Sequence, residues 1–250
     1  MTAAALAQHV TTPLLRPGIY HGTTAGQLAF VSRYRYPETP RGIGVTTILR
    51  GPERVFRVRI SKRVANFGVV VTSRGAGSHV EPRVVSGLDE DRLTGFAGLP
   101  VNHNPYTDQF DSGVLAAGAL SPARGEYAIV FDSPARVGAG SFTFRYWVND
   151  VTAPRLRVPS HRVRAGSPLL VSATDAGAGV YPDSIQAKVD GSIVDVRFRH
   201  GVVSVPTGSL GTGTHKLRLR VSDYQEAKNT ENVGPILPNT RWLTTTFEVR

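Results

Sequence analysis

The chain has 250 residues, a net charge of +10 from 29 Lys and Arg against 19 Asp and Glu, and no cysteine. This length accommodates one large or two ordinary domains, and the missing cysteines exclude a disulfide framework, a thiolate nucleophile and a cysteine-ligated zinc. No apolar run approaches the roughly 20 residues of a membrane-spanning helix, so we expect no membrane span.

The positive charge is carried mainly by arginine, because lysine occurs at only four positions: Lys62, Lys188, Lys216 and Lys228. The arginines mostly occupy outward positions of alternating strands, as Arg57 and Arg59 do, instead of forming one basic run. This distribution indicates a GC-rich coding sequence more than a dedicated basic patch, and we expect no nucleic-acid partner.

Residues 1–17 are polar and rich in Ala and Thr, and are predicted to be a flexible leader. Met1–Val10 has no basic segment and only a short apolar patch, so it does not match a secretory signal. If the protein is extracellular, we expect this chain to be a fragment that has lost its leader.

Short apolar segments with turn signals between them follow from Gly18 onward. We predict strands at 27–36, 45–49, 54–61, 65–73, 80–85, 93–96, 114–120, 126–132 and 142–148. The regular spacing and the absence of a helical period predict a jelly-roll-like β-sandwich over 18–149.

The last of these strands ends at a predicted domain boundary. Phe142, Phe144, Tyr146 and Val148 lie on one face and alternate with Thr143, Arg145 and Trp147 on the other, which is the period of a sheet with two different faces. Pro154 follows closely and cannot donate a backbone hydrogen bond to a continuing ladder.

The second half, 150–250, is predicted to be an immunoglobulin-like β-sandwich. Its predicted strands are 155–158, 168–173, 185–190, 193–199, 202–206, 215–223 and 241–249. Asp190-Gly191 between two β-runs predicts a two-residue hairpin, since both positions must tolerate a positive φ. The disulfide and central tryptophan of antibody domains are missing, so only the architecture is predicted.

The segment 224–240 is long for a loop between two strands. Ile236 and Leu237 could fold back and cover the edge of the sandwich, and we favour this interpretation over a binding loop.

One motif, His21-Gly22-Thr23-Thr24-Ala25-Gly26, resembles the histidine box of subtilisin-like serine peptidases. In that family two residues separate His-Gly-Thr from Ala-Gly, whereas here a single residue does. A general base also needs a nucleophile and an orienting carboxylate, and no aspartate or serine box accompanies this histidine. We interpret His21 as a turn residue.

Three further segments could bind a ligand. Asp89 and Asp91 could bind calcium or form an exposed acidic turn, and the Asp175–Val180 loop has the pattern of an Asx turn in which calcium is an alternative. Asn102–Asp108, which contains Tyr106, could touch a saccharide or a peptide or be a simple connection. No catalytic, cofactor-binding or metal-binding residue is assigned from these patterns, and no cofactor is expected.

Three motifs of the second half are similar to the bacterial immunoglobulin-like repeats of secreted and surface proteins. They are Thr-Asp-Ala-Gly-Ala-Gly-Val at 174–180, Val-Asp-Gly at 189–191, and Gly-Thr-His-Lys-Leu at 213–217 with Val-Ser-Asp at 221–223. The resemblance covers roughly residues 150–250. It implies a spacer or an adhesive module.

The segment Phe-Thr-Phe-Arg-Tyr-Trp-Val-Asn-Asp-Val-Thr-Ala-Pro at 142–154 resembles the β-rich region after the catalytic domain of some bacterial subtilisin-like peptidases. The match covers about 28–154 and implies a detached C-terminal portion, or a stand-alone relative, of a secreted protease. None of the family's catalytic boxes is present, so no catalytic residue is carried over and we expect no enzyme activity.

The predicted function is therefore a non-catalytic accessory or scaffold region that stabilises or positions a subtilisin-like peptidase domain absent from this chain. The alternative is a stand-alone extracellular adhesion or carbohydrate-binding module with contacts through Tyr106 or Tyr224. The expected partner is accordingly that catalytic domain or a cell-surface glycan or protein. A free-standing enzyme, the third alternative, would need a deep pocket with convergent polar groups.

Overall fold

The computed structural model describes residues 14–29, 32–35, 38–39, 42–43, 46–86, 103–104, 109–110, 115–225 and 239–250. Apart from one short 3₁₀ turn, every regular element in these ranges is a β-strand, which confirms the all-β prediction. Two compact units are formed, and the change from the first to the second falls between Asp150 and Val151. Within the described part of the chain, no helix is long and apolar enough to cross a bilayer.

The first unit contains thirteen described strands. They are β1 (Gly18–Thr23), β2 (Ser32–Arg35), β3 (Glu38–Thr39), β4 (Gly42–Ile43), β5 (Thr46–Leu49), β6 (Glu53–Ile60), β7 (Asn66–Arg74), β8 (Glu81–Ser86), β9 (His103–Asn104), β10 (Gln109–Phe110), β11 (Ala116–Leu120), β12 (Gly125–Asp132) and β13 (Ser141–Val148). The predicted strand at 27–36 is reduced to β2 within the described residues, whereas β1 was not predicted as a separate strand. The predicted strand at 93–96 lies outside them.

Seven of these strands form two antiparallel sheets, ordered β1-β13-β7-β11 and β6-β12-β8. In chain order β1, β6, β7, β8, β11, β12 and β13 alternate between the two sheets, and the first and last of them are neighbours. This alternation is the wrapping of a jelly roll, so the predicted sandwich topology is confirmed.

The core of this unit lies between the two sheets. The inward side chains of β13, predicted from its alternation, are buried there, and the aromatic members of the cluster are Phe56, Phe67, Tyr127, Phe131, Phe142, Phe144 and Tyr146. Trp147 points to the other face of β13 and is also buried. It covers Gly68, the residue opposite it on β7, where a Cβ atom would come within 2.3 Å of the indole, so only glycine fits.

The second unit contains nine described strands and one 3₁₀ turn. They are β14 (Arg155–Arg157), β15 (Arg162–Val163), β16 (Leu169–Thr174), the 3₁₀ turn (Pro182–Ser184), β17 (Gln186–Val189), β18 (Ser192–Val194), β19 (Arg197–Arg199), β20 (Val202–Val205), β21 (Gly213–Ser222) and β22 (Thr240–Val249).

Two sheets, β14-β16-β20-β19 and β15-β22-β21-β17-β18, form the second sandwich. The first corresponds to the ABED sheet of an immunoglobulin domain, and the second to its CFG sheet with two added edge strands, β15 and β18. This is the immunoglobulin-like sandwich that was predicted. The short β15 was not predicted, and it pairs with β22 in parallel. The buried core between the sheets is aliphatic except for Phe247, with Leu169, Val171, Val203, Leu217, Leu219 and Val221 at its centre.

The predicted hairpin at Asp190-Gly191 is confirmed. Both residues have a positive φ, 50° and 89°, and they connect β17 to β18. The segment 193–199, predicted as one strand, is instead two strands in different sheets, because the chain crosses from β18 to β19 at Asp195 and Val196. Alternation of apolar residues cannot reveal this crossing, since both strands keep the same period.

Asp190 also anchors this hairpin to β21. Its Oδ2 lies 2.7 Å from His215 Nδ1, and its Oδ1 accepts a hydrogen bond of 2.8 Å from the backbone N–H of Lys216. His215 Nε2 lies 2.8 Å from the carbonyl oxygen of Gly211. Two acceptors on opposite sides of one ring favour the imidazolium form, which donates from both nitrogens. The bond to Asp190 raises the pKa of His215 and lowers the pKa of Asp190.

These opposite shifts give the second unit a pH dependence with two limits. The contribution of His215 is fully present below its ordinary pKa of about 6.5 and is lost as the pH rises through the raised folded value. The contribution of Asp190 is present above its ordinary pKa of about 3.9 and is lost as the pH falls through its lowered folded value. We therefore expect the pair to stabilise the second unit most between about pH 4 and pH 6.5.

NMR titration of the His215 ring protons should give a midpoint above 6.5, and His215→Gln should remove the alkaline loss of stability. His161→Gln is the matched control, because this exposed histidine contacts the carbonyl oxygen of Thr246 and no carboxylate among the described residues. An unchanged alkaline dependence in His215→Gln would contradict the assignment.

Candidate binding face of the second sandwich

The histidine of the peptidase-like motif lies in a strand and not in the turn that was predicted. His21 is in the middle of β1 and is exposed, and its Nδ1 lies 3.0 Å from Thr143 Oγ1 on the adjacent strand. The turn of the motif comes later, at Ala25 and Gly26, where the φ of Gly26 is 76°. Among the described residues, neither a serine nor a carboxylate is hydrogen-bonded to this imidazole.

The loop predicted to be an Asx turn is closed by a side-chain hydrogen bond that spans four residues, whereas an Asx turn spans two. Asp175 Oδ1 accepts a hydrogen bond of 2.8 Å from the N–H of Gly179, whose φ of 86° requires the glycine. Binding of calcium at this loop stays a prediction.

The other predicted ligand segments are described only in part or not at all. Asp89, Asp91 and Tyr106 lie outside the described residues, as do 226–238 of the long loop. Tyr224, named for the carbohydrate alternative, is half-buried and lies with its ring centroid 5.2 Å from that of Tyr181. Its role in carbohydrate binding stays a prediction.

The outer face of the β15-β22-β21-β17-β18 sheet carries a different set of side chains. On β21, Leu217, Leu219 and Val221 point into the core and are fully buried. Because side chains alternate along a strand, the three cationic residues that alternate with them lie on the outer face, about 7 Å apart: Lys216, Arg218 and Arg220. The predicted alternation of this strand is confirmed.

The strand register places the neighbours of these cations. Arg220 lies opposite Gln186 of β17 on one side and Trp242 of β22 on the other. Arg218 lies opposite Lys188 of β17 and Thr244 of β22.

Trp242 is 53% exposed, unlike the buried Trp147 of the first unit. The guanidinium carbon of Arg218 lies 4.7 Å from the centroid of the indole ring, which is the distance of a cation–π contact. This contact holds the ring against the sheet, and more than half of the residue remains open to solvent. An exposed, oriented aromatic ring of this kind is typical of binding surfaces.

The pair formed by Lys188 and Arg218 is electrostatically unfavourable. Like charges directly opposite each other on one face of a sheet destabilise it, by a few tenths of a kcal/mol or more. Within the described residues neither side chain forms an ion pair with a carboxylate. At this point the face therefore carries two positive charges without an ion-pair partner among the described residues.

A groove of about 730 Å³ borders this face, where β17 and β18 meet the crossing to β19. Its lining combines Lys188, Arg218 and Trp242 with the exposed Ile193 and with two carboxylates, Asp183 and Asp195. Over its described residues the second unit has twelve Lys and Arg against six Asp and Glu, so its net charge is +6. The groove is thus mixed in polarity and lies in a cationic domain.

Sequence reasoning missed this site although its parts were visible. In the strand predicted at 241–249, Leu243 is apolar and faces inward, so the preceding Trp242 faces outward. A tryptophan at an outward position of a strand by itself indicates a binding surface. The arginines and lysines were interpreted as scattered surface charge. Only the pairing of β17 with β21 brings Lys188 beside Arg218, from a position 30 residues away in the sequence.

No protein-family model matches the chain, and no curated protein matches it. Solved structures are similar to it with low scores, among them the following three. The adhesin domain of Epf from Streptococcus pyogenes is 13% identical, with 79% of this chain and 71% of that chain covered and a TM-score of 0.27.

A DUF4785 family protein from Legionella pneumophila is 10% identical, with 94% of this chain and 66% of that chain covered and a TM-score of 0.26. The D1–D4 ectodomain fragment of ICAM-5 is 16% identical, with 97% of this chain and 75% of that chain covered and a TM-score of 0.27. At these scores the likenesses support no conclusion about fold or function, and the fold is assigned from the strand topology above.

Proposed function

We propose that this chain is a non-catalytic, extracellular binding module in which the outer face of β17, β21 and β22 contacts a surface ligand. The observation that carries the proposal is the half-exposed Trp242, held in place by Arg218 on a face with unneutralised positive charge. A ring kept in one orientation loses little conformational entropy when a ligand packs on it. Cations around the ring add contacts that a polar ligand can use.

Trp242→Ala is expected to weaken binding to the surface ligand at least tenfold, because loss of a central aromatic anchor costs about 2 kcal/mol or more. The measurement is retention of the purified chain on a panel of neutral and acidic polysaccharides immobilised in a gel. Trp242→Phe keeps an aromatic ring and should retain part of the affinity.

Leu170→Ala is the matched control. Leu170 is 46% exposed on the outer face of the opposite sheet, so its removal changes exposed apolar area away from the proposed site. Equal losses in Trp242→Ala and Leu170→Ala, or none in either, would contradict the proposal. Far-UV circular dichroism shows whether each variant is folded.

An accessory role beside a subtilisin-like catalytic domain is our second proposal. It is supported by the resemblance of residues 142–154, which form β13 and the segment after it. DNA upstream of the Met1 codon should then encode, in the same frame, a catalytic domain with aspartate, histidine and serine boxes. An upstream sequence without such a frame would contradict this parentage.

Both proposals require that the chain by itself has no peptidase activity. His21, the residue nearest to a catalytic motif, contacts Thr143 instead of a serine or a carboxylate. We expect the purified chain to leave casein intact. Casein cleavage that a serine-directed inhibitor stops would overturn the non-catalytic assignment.

A further inference from the structure

We infer that the ligand of this face is an acidic polysaccharide whose carboxylates lie along β21 while a sugar ring packs against Trp242. This inference rests on the proposed binding function and adds the chemical class of the ligand. Four side chains carry it through their positions on one sheet face: Lys188, Lys216, Arg218 and Trp242.

The charge pattern selects a repeating anion. Lys216 and Arg218 lie two positions apart on β21, so their side chains leave the sheet about 7 Å apart, and Lys188 lies opposite Arg218 on β17. A linear polymer with a carboxylate on its sugar units can meet such a row with successive groups. A single small anion could meet only one or two of these cations.

The opposed pair gives the strongest reason for an anion. Lys188 and Arg218 face each other across β17 and β21 and repel each other in the free protein. A carboxylate placed between them would turn this repulsion into two charge-assisted hydrogen bonds. The repulsion between Lys188 and Arg218 lowers stability in the free protein, and a bound carboxylate would relieve it.

The polar residues around the cations favour a saccharide. Thr244 and Thr246 are exposed on the same face of β22, and Gln186 is exposed opposite Arg220. Hydroxyl and amide groups can donate to and accept from sugar hydroxyls. Indole supplies the apolar surface against which a sugar ring packs. A single-stranded nucleic acid would make use of several stacking rings, and among the described residues of the second unit Trp242 is the exposed large aromatic residue.

The test uses the full chain and a matched pair of ligands, polygalacturonic acid and its fully methyl-esterified form, which has the same sugar backbone without the negative charge. We expect the acid to bind at least tenfold more tightly than the ester, and its binding to weaken steeply between 50 and 500 mM salt, since exposed charges are screened. Lys188→Gln should weaken binding of the acid about three- to tenfold, as the loss of one charge-assisted contact does.

Arg157→Gln is the control for the loss of one positive charge, because Arg157 is exposed on β14, in the opposite sheet. It should leave the affinity within about twofold, as expected for a charge remote from the ligand. If Lys188→Gln and Arg157→Gln weaken binding equally, the polysaccharide is attracted by the net charge of the domain and not by this face, and the proposed site is wrong.

The remaining outcomes separate this inference from the proposed function. If the ester or a neutral polysaccharide binds as well as the acid and Trp242→Ala still abolishes binding, the binding face stands and the acidic ligand is wrong. If oligo(dT) competes with polygalacturonic acid at equal charge concentration, the polysaccharide class is wrong. If Trp242→Ala changes no binding at all, the proposed function itself fails.

Discussion

Replacing Arg83 by leucine is expected to destabilise the first unit by about 3–5 kcal/mol, because it breaks a buried ion pair. Arg83 is fully buried on β8, and its Nη1 donates to Asp132 Oδ2 at 3.0 Å, where the Asp132 side chain is also buried. Its Nη2 donates to Glu81 Oε2 at 2.9 Å. Leucine would leave the carboxylate of Asp132 buried without this guanidinium, which is the costly half of such a pair.

The measurement is urea unfolding followed by tryptophan fluorescence. The chain has two tryptophans, Trp147 in the first unit and Trp242 in the second, so a Trp242→Phe background reports on the first unit alone. Arg59→Leu is the control, since Arg59 pairs with Glu126 at the surface, where such pairs contribute about 0–1 kcal/mol. A loss in Arg83→Leu no larger than in Arg59→Leu would show that the buried pair does not hold the unit together.

Phe144→Ala by itself is expected to lower the free energy of unfolding of the first unit by about 3–5 kcal/mol. Phe144 is completely buried on β13, and its ring centroid lies 4.5 Å from that of Phe131, 5.0 Å from Phe56 and 5.5 Å from Tyr20. Alanine removes contacts with rings from both sheets at once, and the rigid neighbouring rings cannot close the cavity. With a total stability of about 5–15 kcal/mol, the unit would be close to unfolding.

The same fluorescence measurement checks this result. Phe144→Leu, which keeps most of the buried apolar volume, should lose less than half as much. Leu170→Ala is again the control, because it removes an exposed side chain in the second unit and should leave the unfolding of the first unchanged. A loss below about 1 kcal/mol in Phe144→Ala would mean that the centre of the core is loosely packed, contrary to the observed ring distances.

The proposed ligand site and these stability predictions concern different units and can be tested independently. Phe144 and Arg83 are buried in the first unit, whereas Trp242 and Lys188 are exposed in the second. If substitution of Phe144 or Arg83 weakens ligand binding, the cause would therefore have to be unfolding. Substitutions of Trp242 or Lys188 should weaken ligand binding without changing the stability of the first unit.

The sequence by itself determined the all-β class and most strands of the two sandwiches. Alternation along β21 predicted which side chains are buried, because successive residues of a strand point to opposite faces. Along β13 it predicted the face that enters the core, but not that Trp147 on the other face is buried as well. Asp190-Gly191 predicted its hairpin for an equally local reason, since few dipeptides tolerate two positive φ values in succession. Each of these properties depends on residues that are close in the sequence.

Only the tertiary structure decided which distant residues become neighbours. Local alternation cannot show that β17 pairs with β21, so the facing of Lys188 and Arg218 and the contact of Arg218 with Trp242 could not be predicted. For the same reason the chain crossing at Asp195 and the ion pair of Arg83 with Asp132 were invisible in the sequence. Strand register is set by the packing of whole sheets, and the candidate binding face is a product of that register.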